Sequence, residues 1–416
     1  MDFNTIRGII GIFLLLGIAY LASSHKKSIN WRTVGGALAI QVFFGALVLY
    51  VPFGKEALIG ISSAVSSVID YAGAGIEFLF GNLANGNSFA PNGVGFVFAF
   101  RVLPVIIFFS SLIAVLYYVG IMDKVVKFLG GGLAKLLGTS HPESLSATAN
   151  IFVGQTEAPL VIRPYLPTMT RSELFAVMVG GLASVAGAVL AGYAGLGVEL
   201  KYLIAASFMA APGGLLMAKF ILPETETPQN VLAEVSDEDK EKECVNVIDA
   251  AADGAAKGLM LALNVGAMLM AFVALIALLN GLIGWLGAFV GIDGLTLQMI
   301  LGYVFQPVAY MLGVPWEEAF QAGSFLGQKL VVNEFVAYVD FIKFKDELSI
   351  GTQAIVTFAL CGFANLASIA ILLGGIGSMA PTRRHDIAQL GMKAVFAATL
   401  ANLMSAAIAG IFISLG

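Results

Sequence analysis

Glu157 and Glu334 are the residues of this chain best placed to do chemistry, because each stands in apolar sequence. Glu157 lies in Asn150-Ile151-Phe152-Val153-Gly154-Gln155-Thr156-Glu157-Ala158-Pro159, and Glu334 in Lys329-Leu330-Val331-Val332-Asn333-Glu334-Phe335-Val336-Ala337-Tyr338. A carboxylate at the centre of a bilayer costs about 3 kcal/mol on insertion scales, so a charge kept there usually marks a substrate or ion path. Gln155 and Thr156 add an amide and a hydroxyl beside Glu157, and Asn333 adds an amide beside Glu334. Asn365 and Ser368 are three residues apart and share one helix face. Phe363 lies near that face and can stack on a flat ring. Together these groups donate to and accept from hydroxyls and amides. They include no cationic cluster, which disfavours a phosphorylated ligand. A neutral polyhydroxylated or heterocyclic solute fits them.

Each group also has a plainer use. Ser184 can bond its own backbone, Phe363 can simply pack, and Lys329 can pair with a carboxylate for structure alone. Glu157 and Glu334 can form a buried ion pair or interface charges. A hard monovalent cation such as Na+ wants oxygen ligands, as Ca²⁺ and Mg²⁺ do. Asn150 and Ser184 offer side-chain oxygens, and irregular backbone at Val153 and Val185 can add carbonyls. His25, His141 and His385 have no metal-ligand spacing. No nucleophile–base pair and no phosphate loop is present.

The elements that must position these residues are membrane helices. The chain has 416 residues, of which 58% are hydrophobic and 12% charged, with mean hydropathy +0.90. A soluble domain carries about twice that charged fraction. The expected fold is an all-α polytopic membrane protein with eight spans. They cover 6–23, 33–51, 96–119, 173–195, 199–221, 257–287, 350–375 and 388–415. The net charge of −5 and the lack of a long basic run give no sign of nucleic acid binding. Cys244 and Cys361 suggest no disulfide framework. The first apolar run has no positive cluster before it, so it reads as a span and not a cleaved signal.

Residues 56–81 mix Gly, Ser and apolar residues and read as less than a clean span. A polar stretch follows from Asn82 to Gly93. Residues 121–138 are amphipathic, with Lys124, Lys127 and Lys135 on a face suited to the membrane surface. Residues 142–170 carry Gly154, Pro159, Pro164 and Pro167, which break a continuous helix; a re-entrant hairpin of two half-helices fits. Residues 223–250 form an acidic linker with Glu224, Glu226, Asp237, Glu238, Asp239, Glu241 and Glu243. Residues 294–313 are apolar, and 316–340 form a second broken segment around Lys329 and Glu334. Lys26, Lys27, Arg32, Arg383, Arg384 and His385 then lie in loops on one, cytoplasmic side, with both termini outside.

The chain also repeats itself. Gly181-Leu182-Ala183-Ser184-Val185-Ala186-Gly187 aligns with Gly362-Phe363-Ala364-Asn365-Leu366-Ala367-Ser368. Each follows a broken segment with a glutamate, and each is followed by one more span. The unit hairpin, polar-centred helix, helix thus occurs twice, and the positive-inside count gives the copies opposite orientations. Inverted repeats with broken helices meeting at midplane are the signature of secondary transporters.

At these residues the chain resembles the concentrative nucleoside transporter family. The matching motifs are Gly154-Gln155-Thr156-Glu157-Ala158-Pro159 with Arg163-Pro164, Asn333-Glu334-Phe335-Val336-Ala337-Tyr338, and Cys361-Gly362-Phe363-Ala364-Asn365. Asn264-Val265-Gly266-Ala267 and Gly313-Val314-Pro315-Trp316 match as well. The resemblance implies a Na+-coupled importer of nucleosides such as uridine, in a bacterial inner membrane. It implies a homotrimer whose scaffold holds residues 1–120 and 257–290. The moving domain would hold 121–222 and 291–416, joined by the linker 223–256. It implies base contacts from Gln155, Thr156 and Glu157, and ribose contacts from Glu334, Asn365 and Ser368, with Phe363 and Leu261 lining the pocket. It implies Na+ held by Asn150, Ser184 and the carbonyls of Val153 and Val185.

Three other readings compete. A transporter of the same fold could couple to protons. An intramembrane enzyme could use the two glutamates as acid and base, but it leaves the repeat unexplained. A passive channel would place both glutamates along an open pore.

Overall fold

The structure is a computed structural model, described for residues 3–84, 97–229, 244–289 and 291–415. Most of the expected polar stretch from Asn82 to Gly93, and the middle of the acidic linker, lie outside the described residues. The described residues form helices and no strand. Eight helices are long and apolar enough to cross a membrane. Seven fall where spans were expected. The eighth, Pro52–Phe80, covers residues 56–81 as one continuous 29-residue helix, started by Pro52 in its first turn.

Two expected spans are not continuous. The fourth runs as Arg171–Ala183, unwinds through Ser184, Val185 and Ala186, and resumes as Gly187–Gly195. The seventh runs as Ile350–Leu360, unwinds from Cys361 to Ala367, and resumes as Ser368–Met379. The unwound stretches are the two repeated motifs. In an apolar interior each freed backbone group needs a partner. Phe363 N–H donates to Ser184 O at 3.2 Å, so the two breaks satisfy each other. Asn402 Nδ2 donates to Ala183 O at 2.7 Å and to Cys361 O at 3.1 Å, stapling one break to the other.

Both hairpins are present. The first pairs helix His141–Ala149 with a 3₁₀ arm, Ala158–Thr168, where an α-helical arm was expected. Pro159, Pro164 and Pro167 remove the N–H groups that an α-helical ladder needs. The second pairs Trp316–Val331 with Glu334–Phe344 across Val332 and Asn333. Helix Leu297–Met311 precedes it at a 117° bend. These two helices press backbone to backbone: a Cβ at Gly323 would meet Gln306 N at 2.6 Å.

Contacts at the hairpin feet fix their relative orientation. Arg383, just past the second broken span, donates to Met169 O at the foot of the first hairpin. Lys345, at the foot of the second hairpin, donates to Gly197 O, just past the first broken span, at 3.0 Å. Each broken span therefore starts at its own hairpin's foot and ends at the other's. The two units enter from opposite ends of the molecule. The basic loops gather at the first of these ends, where Lys393 reaches Ser24 Oγ at 2.7 Å and Arg171 pairs with Asp386. The amphipathic helix Ile121–Leu137 joins them: Thr33 Oγ1 donates to Leu137 O at 2.8 Å.

Burial divides the helices into two groups. Over their most apolar 18 residues, the first broken span and Leu200–Ile221 each have 94% of residues buried, whereas the 43-residue helix Val247–Phe289 has 17% and Pro52–Phe80 11%. At 1.5 Å per residue the long helix measures about 65 Å, twice a bilayer core. It packs along Leu103–Tyr118, where Ser111 Oγ donates to Ala251 O at 2.8 Å. Helices Phe3–Ala22 and Trp31–Leu49, expected to group with that pair, lean the other way. Gln41 Nε2 donates to Ser405 Oγ at 2.8 Å, and a Cβ at Gly8 would meet Ile411 at 2.9 Å.

The stapled breaks leave no room at Gly362, where a Cβ would sit 2.4 Å from Asn402 Oδ1 and 2.8 Å from Ala183 O. Gly362→Ala should cost roughly 1–3 kcal/mol by overpacking. Gly374→Ala, with open space at its Cβ, should be neutral or mildly stabilising. Thermal unfolding of the purified variants in detergent measures both.

Candidate functional site

The hairpin tips, the two breaks and the long exposed helix enclose one cavity of about 750 Å³, counted with its open mouth. All eight substrate-contact residues expected from sequence line it: Gln155, Thr156, Glu157, Leu261, Glu334, Phe363, Asn365 and Ser368. The polar groups come from the tips and from the second break. The long helix contributes an apolar wall of Leu261, Val265, Met268 and Leu269. The sequence reading found Leu261 alone of these. The spacing of 261, 265 and 268 follows one helix face and could have revealed the others.

The two glutamates differ in environment. Glu334 is 4% exposed and opens helix Glu334–Phe344, where backbone N–H groups and the helix dipole favour a carboxylate. Asn333 caps that helix by accepting from Val336 N–H at 2.9 Å. Asn365 Nδ2 donates to Glu334 Oε2 at 2.9 Å, and Tyr193 OH donates to Oε1 at 3.1 Å. Each carboxylate oxygen so keeps a lone pair for a ligand hydroxyl. Ser368 N–H and Oγ both donate to Asn365 Oδ1, at 3.0 and 3.1 Å, which orients the Asn365 amide. Glu157, by contrast, is exposed at the cavity. The cost of burying a carboxylate therefore falls on Glu334.

Tyr193 was missed from sequence. It is fully buried, on the second half of the first broken span, with its ring packed on Phe335 and Tyr338 at 4.6 and 4.5 Å. Through it the first repeat orients the glutamate of the second. One tyrosine in a Gly/Ala-rich span leaves no periodic signal.

The expected Na+ ligands lie together beside the first break. Asn150 caps the first hairpin arm, and its Nδ2 donates to Ser146 O at 2.9 Å. Its Oδ1 is buried and has no hydrogen-bond partner among the described residues. An orphan oxygen next to freed backbone carbonyls suits a hard cation. Ser184 Oγ donates to Gly180 O at 2.9 Å, the backbone bond weighed as its plainer use, and its lone pairs remain open. Val153 and Val185 are buried in the same region. Lys329 does not pair with a carboxylate: Nζ donates to Ala359 O and Asn402 Oδ1, each at 2.7 Å.

Inverted hairpins, broken spans and a polar cavity at their meeting point define a secondary transporter. Comparison with known proteins gives the family. Two models of the Na+ dependent nucleoside transporter match residues 10–83 (N-terminus) and 202–410 (C-terminus), and a nucleoside recognition "Gate" model matches 99–199. The nucleoside permease NupC of Helicobacter pylori is 53% identical, over 100% of this chain and 99% of its own. The solved structure of CNTnw in an inward-facing substrate-bound state superposes with TM-score 0.95 at 58% identity, covering 99% of both chains. A doubly substituted CNTnw in an outward-facing state superposes with TM-score 0.96 at 58% identity, again over 99% of both. The chain belongs to the Na+-dependent nucleoside transporter family, whose members are transporters and not enzymes.

Tyr193→Phe removes one donor from Glu334 and little else. A hydrogen bond to a charged group contributes about 1.5–3 kcal/mol. Nucleoside binding, read by titration calorimetry, should weaken roughly tenfold or more, while thermal stability changes little.

Proposed function

We propose that this chain is a Na+/nucleoside symporter of a bacterial inner membrane that imports nucleosides such as uridine. The observation that carries this reading is the cavity in which two hairpin tips and two helix breaks converge beside an orphan Asn150 oxygen. Gln155, Thr156 and Glu157 face the base. Gln155 Oε1 is buried with no partner among the described residues and can accept an N–H from a base edge. Glu334, Asn365 and Ser368 hold the ribose, whose hydroxyls donate to the free carboxylate lone pairs. Phe363 and the wall around Leu261 cover the ring faces. A Na+ held by Asn150, Ser184 and the carbonyls of Val153 and Val185 supplies positive charge at the C-terminal end of half-helix Arg171–Ala183, where the dipole is negative. Ser184 O also anchors Phe363 N–H, so order at the first break reaches the nucleoside pocket on the second.

Transport then requires the cavity to open to each side in turn. The moving body comprises both hairpins, both broken spans, Leu200–Ile221 and Arg384–Leu415. Helices Phe3–Ala22 and Trp31–Leu49 travel with it, on the packing at Gln41 and Gly8. Leu103–Tyr118 and Val247–Phe289 form the scaffold, and the exposed apolar faces of Val247–Phe289 and Pro52–Phe80 suit a homotrimer in lipid. The reading from sequence instead put all of residues 1–120 in the scaffold. By the positive-inside rule the Ser24, Arg171 and Arg383 end faces the cytoplasm and both termini face outward.

Proteoliposomes given an inward Na+ gradient should accumulate labelled uridine above equilibrium. Accumulation driven by a pH gradient and indifferent to Na+ would assign proton coupling instead. Glu334→Gln should lower uptake at least about tenfold, since an amide accepts fewer hydroxyl protons than a carboxylate. Asn150→Ala should leave uptake dependent on Na+ but shift half-activation to higher Na+ concentration, which a Na+ titration of initial rates reads.

A further inference from the structure

The ammonium of Lys329 is buried in the interior and is not among the residues that line the nucleoside pocket described above. It lies in the last turn of the first arm of the second hairpin. Nζ donates to Ala359 O at 2.7 Å, at the C-terminal end of half-helix Ile350–Leu360. Its other bond, to Asn402 Oδ1, ties it to the amide that holds Cys361 O and Ala183 O. A half-helix ends there, and the negative pole of its dipole attracts a cation.

The first repeat has a matching place. Asn150 ends the first arm of the first hairpin and faces the last turns of half-helix Arg171–Ala183. A Cβ at Gly180 would lie 3.6 Å from Asn150 Nδ2, and one at Gly181 would lie 3.8 Å from Oδ1. In the alignment of the two motifs Gly180 corresponds to Cys361. At matching places, then, one repeat has an orphan oxygen and the other a tethered ammonium.

We propose that Lys329 is a resident cation, taking in the second repeat the place that the coupling Na+ takes in the first. The inference rests on the Na+ reading of the Asn150 site. An ammonium on a four-carbon stem meets the same oxygens as a small cation but cannot leave. The second break therefore keeps its charge in every state of the cycle, and Asn365 and Ser368, which follow Cys361, stay in place. Only the first break gains and loses a cation, so one Na+ moves with each nucleoside.

The test uses the full chain in proteoliposomes, with initial uridine uptake measured against Na+ concentration. Lys329→Met, of similar length and uncharged, should raise the uridine KM about tenfold or more at every Na+ concentration. Lys329→Gln returns an oxygen to the site. It should recover uptake at high Na+ with a steeper activation curve, and high K+ should not replace Na+. A parental KM and a parental Na+ curve in both variants would overturn the proposal. If neither variant folds, the unaltered protein decides: labelled Na+ and uridine should enter one to one, and two Na+ per uridine overturns the proposal. Uptake by the unaltered protein that ignores Na+ removes the coupling reading itself, and this inference with it. That outcome is distinct from failure at Lys329 alone.

Discussion

Two helices end and restart inside an apolar interior, and every backbone group released there must find a partner. The rest of the structure depends on how that requirement is met. Asn402 takes the carbonyls of Ala183 and Cys361, Lys329 takes that of Ala359, and Phe363 N–H takes Ser184 O. These bonds run between repeats as well as within them. The two breaks are consequently one unit, and whatever orders one of them orders the other. Freed backbone and convergent side chains are then available at a single place, which an unbroken helix pair could not offer.

The inverted arrangement gives the two glutamates unequal work. Glu334 sits at a helix start, buried, with Asn365 and Tyr193 each directing one of its oxygens. It is held rigidly and suits hydroxyls whose geometry is fixed by a sugar ring. Glu157 projects from an irregular tip into the open cavity. Its surroundings tolerate different partners, as recognition of varied bases would require. Tyr193, reaching from the first repeat to the glutamate of the second, links the two halves again.

Much of this was legible in the sequence. Proline spacing in 142–170 and the isolated charge at Glu334 exposed both hairpins, and the motif at Gly181 and Gly362 exposed the repeat. The polar residues that line the cavity stood out because their types are rare in such apolar surroundings, whereas Leu261 came from the family resemblance alone. Of the breaks, only irregular backbone at Val185 was expected; their extent was not legible, since Gly181-Leu182-Ala183-Ser184-Val185-Ala186-Gly187 is compatible with a helix and nothing local forbids one. What makes unwinding possible is Asn402, whose amide partner Ala183 lies 219 positions away. The helix Pro52–Phe80 was underread for the opposite reason: Lys55, Glu56, Asp70 and Glu77 dilute its hydropathy but do not disturb its backbone.

The central claim is that cation and nucleoside share one coupled structure built on the two breaks. Linkage makes this measurable at equilibrium, because a cation that strengthens nucleoside binding must itself be bound more tightly by the same factor when the nucleoside is present. Titration of the detergent-purified protein with uridine in Na+ and in choline buffers, and with Na+ in the presence and absence of uridine, measures both sides. The account predicts tighter uridine binding in Na+ and an equal gain in Na+ affinity with uridine. Equal uridine affinity in the two buffers would contradict it.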